Sequence, residues 1–217
     1  RRFWIQGKTN LGFTFQKSQA NISKAVTSSN STSSAEDILE MINPSQGFTI
    51  NAVYSDIGPR LLTAGAIDFD KMKELYEKSG VPLTDEQIKI LTQGSDEKIK
   101  ITPENAYFLL NFFWALGLAN KNVILDEGQM TKYGKDQIGN FASTGGWTLG
   151  KKKAMELYSN FEIIKLNSKQ QAILEDFANN SYRPCCSNPV AFPDCNHGMA
   201  ALALGELMSS QGADADE

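Results

Sequence analysis

Histidine and cysteine are scarce in this chain of 217 residues: His197 is the one histidine, and Cys185, Cys186 and Cys195 are the three cysteines. Thiol and imidazole chemistry therefore has one place to occur. Basic residues are not in excess either, with 21 Lys and Arg against 25 Asp and Glu and a net charge of −4. Such a balance supplies no attraction for a phosphate backbone, so nucleic acid is not an expected partner. No apolar run reaches the roughly 20 residues that a bilayer requires. The longest, around Tyr107 to Leu118, contains Asn111 and reads as a buried helix. The N-terminal residues Arg1 to Gln6 lack the apolar segment of a secretory signal. The chain starts without Met and stops just after a helical pattern, so a piece of a longer polypeptide is expected.

Several motifs are missing too. The cysteines form neither the redox Cys-x-x-Cys nor the Cys-x-x-Cys-His of haem attachment. Their spacing is not that of a zinc finger. Residues 95–102 carry charges like a calcium loop but lack its Asp-x-Asp-x-Asp-Gly order and terminal Glu. The glycine-rich stretch 139–150 has its Gly and Lys in the wrong order for a Walker or Rossmann loop. Close backbone packing around Trp147, beside the cysteine run, is the expected role of that stretch.

What is present is concentrated between Arg183 and Met199. This run holds all three cysteines, the histidine and three of the seven prolines. Thiolate and imidazole together select zinc, copper(I), or iron in an iron–sulfur cluster, and argue against magnesium and calcium. Cys185, Cys186, Cys195 and His197 are the candidate ligands. In an extended segment Cys195 and His197, two apart, project to the same side about 7 Å from each other along the backbone. Met199 continues that alternation as a candidate thioether ligand. The adjacent pair Cys185 and Cys186 can share an ion only if the chain turns, which Pro184 and Asn188-Pro189 favour. Met199 to Met208 is a good helix-forming run, capped by Asn196 or Gly198. Cys195 and His197 then sit at the N-terminus of that helix, where the macrodipole favours negative charge on sulfur. Asp194 and Asn196 are candidates to hydrogen-bond the imidazole from outside the ligand set.

Two other readings stand beside the metal site. A disulfide from Cys195 to Cys185 or Cys186 would staple the loop of a structural or interaction domain and leave one thiol over. A thiol enzyme would use Cys195 as nucleophile and His197 as its base, since no second histidine exists.

The fold class read from the pattern is mainly α, an irregular multi-helix globular domain over 35–217. A small β hairpin or strand segment is expected at 1–17, and a Ser/Thr/Asn-rich linker at 18–34. Helix signals are the caps at Asp68, Thr84, Thr102 and Ser168, with Gly65, Gly80 and Gly94 as stops. Asn51 to Ala64 reads as one helical pattern, with Pro59 as an alternative start. Ser95 to Ile101 reads as a solvated loop with Ile99 and Ile101 pinned inward. The helix opened by Thr102-Pro103-Glu104 is apolar on nearly all sides and reads as the central core helix.

Asp56-Ile57-Gly58-Pro59, the stretch Asn140 to Gly150, Tyr182-Arg183-Pro184-Cys185-Cys186 and Cys195-Asn196-His197-Gly198-Met199 carry a resemblance. From about Val53 onward the chain resembles an uncharacterised bacterial family with a Cys-Cys-x8-Cys-Asn-His-Gly motif. Members often carry an N-terminal membrane anchor and sit outside the cytoplasm. The resemblance implies an extracytoplasmic location, with membrane contact only through an anchor outside this sequence. It brings no activity and names no protein partner.

Overall fold

The structure is a computed structural model that describes residues 34–42 and 44–217. The segment expected at 1–17 and the linker up to residue 33 lie outside the described residues. In chain order the elements are α1 (Ala35–Ile42), β1 (Phe48–Ser55), α2 (Ile57–Ala64), α3 (Phe69–Lys78), α4 (Asp85–Thr92) and β2 (Ser95–Ile101). There follow α5 (Ala106–Ala119), α6 (Val123–Asp126), α7 (Ala142–Gly145), α8 (Ala154–Leu157), α9 (Ser168–Asn180) and α10 (Asn196–Ser210). Short 3-10 turns cover Gln129–Tyr133 and Lys135–Asn140. The domain is mainly α, and β1 and β2 form a two-stranded antiparallel sheet. No helix among the described residues is long and apolar enough to cross a membrane.

Local signals set most of the helix ends. Asp68 accepts from the Lys71 amide, Thr84 and Gln87 form a reciprocal capping box, and Gly65 ends α2 at φ 75°. Several boundaries differ from the sequence reading. The pattern from Asn51 to Ala64 is not one helix: Ile50, Ala52 and Tyr54 alternate inward along β1, and α2 starts at Ile57. Ser95 to Ile101 is a strand and not a loop, with Ile99 fully buried and the charged residues between turned to solvent. Both strands are edges, so period-2 patterning is confined to a few residues. Thr102 and Asn105 exchange side-chain hydrogen bonds with each other's amides, closing a turn that delays α5 to Ala106. Similarly, α9 is capped by Asn167 with Gln170, one residue ahead of the expected Ser168.

Helix α5 is the centre of the core, with Phe108, Phe112, Leu116 and Leu118 almost completely buried. Its apolar surface on nearly all sides demands neighbours on nearly all sides. At Gly117 a Cβ would collide with the carbonyl of Met199, so α5 and α10 approach backbone to backbone there. At Gly205 a Cβ would press on Phe177 and Leu174, which seats α10 against α9 as well. Residues after α5 are tied back by Asn120, whose Oδ1 accepts from the amides of Ile163 and Ile164 at 3.0 and 2.7 Å.

The glycine-rich stretch packs as the sequence suggests. Trp147 is buried, donates to the Ala66 carbonyl at 2.8 Å and meets Trp114 edge-on with centroids 5.0 Å apart. Trp114 in turn donates to the Ser143 carbonyl. The Ser143 amide donates to the Asp194 carbonyl at 3.1 Å, which joins α7 to the cysteine run.

Candidate functional site

The site is assembled by two segments that α9 and α10 place side by side. After α9 the chain makes a narrow turn: Tyr182 bridges to Pro189, and the Val190 amide donates to Ser181. At its tip the amides of Cys186 and Ser187 both donate to the Arg183 carbonyl, at 3.3 and 2.8 Å. Ser187 takes a left-handed backbone, φ 57°, which lets the tip close over so few residues. Cys185 and Cys186 occupy this tip and are exposed.

The side chain of Arg183 runs the other way, inward. It is 5 % exposed. Its Nε donates to the Asn188 carbonyl at 3.4 Å, and Nη2 donates to the carbonyls of Phe192 and Pro189 at 2.6 and 3.3 Å. Nη2 also lies 2.8 Å from Asp194 Oδ1, a close ion pair that is poorly aligned as a hydrogen bond. Nη1 donates to Cys195 Sγ at 2.8 Å. Burial alone would lower the Arg183 pKa. The close pairing with Asp194 and the charges of Cys195, Asp194 and Cys186 outweigh it, and the net shift is upward. The guanidinium is therefore a permanent cation in the wall of the site.

Space for that cation is made by Gly198. A Cβ there would run into Arg183 Nη1 and come within 3.0 Å of the Pro193 Cα. Cys195 is the residue that caps α10, with an extended backbone at φ −128° and ψ 170°, and is partly buried. The Cys185 thiol is pushed up first by its hydrogen bond with Cys186, then by partial desolvation and by the nearby Cys186 and Cys195 sulfurs. All three are unpaired thiols in the structure.

The remaining sequence candidates are placed elsewhere. The alternation that put Cys195, His197 and Met199 on one side assumed extended chain, whereas α10 already begins at Asn196. In a helix, residues two apart point roughly 200° away from each other. His197 is exposed and borders an apolar groove of about 410 Å³ with Tyr107, Phe113, Ala200 and Leu204. Met199 is fully buried against Gly117 in the contact of α5 with α10. Asp194 is engaged by Arg183 and by Asn188 Nδ2, at 3.0 Å from Oδ2. Asn196 Oδ1 accepts from the His197 backbone amide, so no hydrogen bond from either residue reaches the imidazole among the described residues. No group of three or more His, Cys, Asp or Glu side chains among the described residues is gathered around one ion position.

Arg183 and Gly198 are the two site residues that sequence reasoning missed. Both lie inside the run that holds the cysteines, and a Gly in the first turn of a helix is a signal of close approach. That an arginine, and not the histidine, meets the cysteine sulfur required the turn at 183–188 to be known. No family model, no curated protein and no solved structure matches this chain.

Proposed function

We propose that this domain binds a thiophilic metal ion, with the sulfurs of Cys185, Cys186 and Cys195 as its donors. The observation that supports this most is the double role of Arg183. Its carbonyl holds the Cys185–Cys186 turn and its guanidinium holds Cys195, so one residue links the two segments that carry the three unpaired thiols. Thiolate donors suit zinc, copper(I) and iron–sulfur clusters. An N–H donated to a ligand sulfur is the kind of outer contact that fixes a ligand's orientation. His197 stands outside this donor set, because its side chain borders the groove on α5 and α10. An extracytoplasmic location belongs to the same proposal and rests on the resemblance alone.

The test is metal analysis of the purified, reduced full chain, alongside single Cys→Ser variants and His197→Ala. Each serine variant is expected to lose most of the bound metal, and His197→Ala to keep it. Free-thiol counting is run in parallel without reductant. One free thiol per chain, with negligible metal in wild type, would replace this reading with a disulfide.

A further inference from the structure

We propose that the apolar groove between α5 and α10 seats α1 of a second copy of this chain, and that two copies exchange their α1 helices to form a dimer.

Helix α1 is short and two-sided. Ile38, Leu39 and Met41 fall on one side of it, Asp37 and Glu40 on the other. Within its own chain the apolar side is uncovered, with Ile38, Leu39 and Met41 at 49, 60 and 80 % exposure. The helix has eight residues. That is below the roughly 12 to 15 at which a helix begins to hold alone in water, so its stability calls for a packed face.

The groove offers such a face. It runs along α5 from Ala106 to Phe113 and along α10 from His197 to Leu204. Each stretch is about 12 Å long, the length of α1 itself. Leu110, Phe113, Ala201 and Leu204 line it, and its volume is about 410 Å³. An amphipathic helix laid with its apolar side in a hydrophobic groove is a recurring mode of recognition. Charge fits the same occupant. The lining holds no carboxylate, and at one end stand His197 and the N-terminus of α10, which has no side-chain cap. α1 carries acidic residues and no basic one, so its polar side is attracted to that end. The same acids oppose an anionic lipid surface, which selects helices rich in Lys and Arg.

The chain's own groove is not where α1 lies. The amide and hydroxyl of Ser45 both donate to the Glu40 carboxylate, at 2.9 and 3.0 Å, and the Gly47 amide closes a turn on the Pro44 carbonyl at 2.8 Å. These bonds hold α1 in a direction that leaves its apolar side off the domain. Its root nevertheless sits at the groove's edge. Gly47 packs against the Ile101 carbonyl, Phe48 pairs with Ile101 across the sheet, and Ile101 lines the groove. Two copies set groove to groove can each pass α1 to the other over a short path, which closes a two-fold pair. Phe48, 63 % exposed at the crossing, is covered by the same step.

Sedimentation velocity of the full chain over a concentration series tests this, with reductant present so that no disulfide joins two copies. Wild type is expected to dimerise reversibly. Met41→Glu on α1 and Ala201→Glu in the groove are each expected to weaken the dimer roughly 30-fold or more. An equimolar mixture of the two variants is expected to pair more tightly than either alone, because one sound α1 still meets one sound groove. A photo-crosslinker at position 41 is expected to reach α5 and α10 peptides of the other copy. Should Ala201→Glu fail to fold by far-ultraviolet dichroism, Met41→Glu and Leu39→Glu decide, since both lie on exposed surface. A wild-type chain that is monomeric at every concentration, or a dimer that Met41→Glu leaves intact, would overturn the inference. So would crosslinks confined to one chain, which would give the groove an occupant from that chain. Binding to phosphatidylcholine–phosphatidylglycerol vesicles that Met41→Glu abolishes, by a chain that stays monomeric in solution, would overturn it in favour of a lipid surface.

Discussion

Replacing Glu206 by Gln is expected to stabilise the domain, and to do so only above the acid range. Glu206 lies on α10 with no exposed surface, and neither carboxyl oxygen has a hydrogen-bond partner of good geometry. The Asn120 Nδ2 group is likewise buried and unpartnered. Burial is the foremost cause that raises the Glu206 pKa from 4.5 to about 8, while the amides of Asn120 and Asn122 pull it down in part. The folded protein thus keeps a proton at neutral pH that the unfolded chain has already released. Stability falls with pH wherever the folded state binds more protons, so the folded state loses ground from about pH 4.5 up to about pH 8. Between pH 4.5 and 7, at about 1.4 kcal/mol per unit, the penalty reaches roughly 3 kcal/mol. Glutamine has the same shape and no proton to lose. Desolvating its second amide hydrogen offsets some of the gain, which leaves a net of about 1–3 kcal/mol at pH 7 and close to none at pH 4.5. Urea unfolding of wild type and Glu206→Gln at several pH values from 4.5 to 8 measures this directly. Parallel curves, with a constant difference across that range, would show that Glu206 is not the group that loses the proton.

Two further substitutions probe packing. Gly198→Ala is expected to displace the Arg183 guanidinium, because the added Cβ meets Nη1. The cost is about 1–3 kcal/mol in thermal or urea unfolding, accompanied by loss of metal binding. An unchanged metal content in that variant would detach Arg183 from the site. Asn120→Ala leaves the amides of Ile163 and Ile164 without their acceptor. At about 1–3 kcal/mol for each buried unsatisfied group, a loss of roughly 2–4 kcal/mol is expected, together with faster hydrogen exchange at those two amides.

The parts of the fold that were legible are those fixed by neighbours in sequence. Asp68, Thr84 and Gly65 act on the next few residues, so their effect can be read without knowing the tertiary structure. The central helix was legible because an all-round apolar surface on a helix too short to cross a membrane has no other use than core packing. The small sheet was not. Its inward residues are few, and strand β2 shows four charged side chains for one fully buried isoleucine. At the site, clustering of the rare residues was visible, but their directions were not. Moving the helix start from Met199 to Asn196 turns a same-side pair into a divergent one, and sequence spacing cannot tell those cases apart. The burial of Arg183 depends on the turn at 183–188 and on the gap at Gly198, which are separate in sequence and meet only in the fold.

Both halves of the site are held by one piece of packing. The turn that carries Cys185 and Cys186 leaves the end of α9, and Cys195 begins α10. Gly205 brings these two helices together, and Gly117 fixes α10 against α5, the most buried element of the domain. α7 adds a third restraint through the bond from the Ser143 amide to Asp194. None of these contacts involves a thiol. The relative position of the three sulfurs therefore follows from apolar packing and backbone approach, with Arg183 as the last link between them. A site of this kind would not need an ion in order to fold, unlike small zinc domains, in which metal affinity is the folding energy. What an ion bound as proposed would add is order in the exposed turn at Cys185 and Cys186, the only part of the site that solvent reaches freely among the described residues.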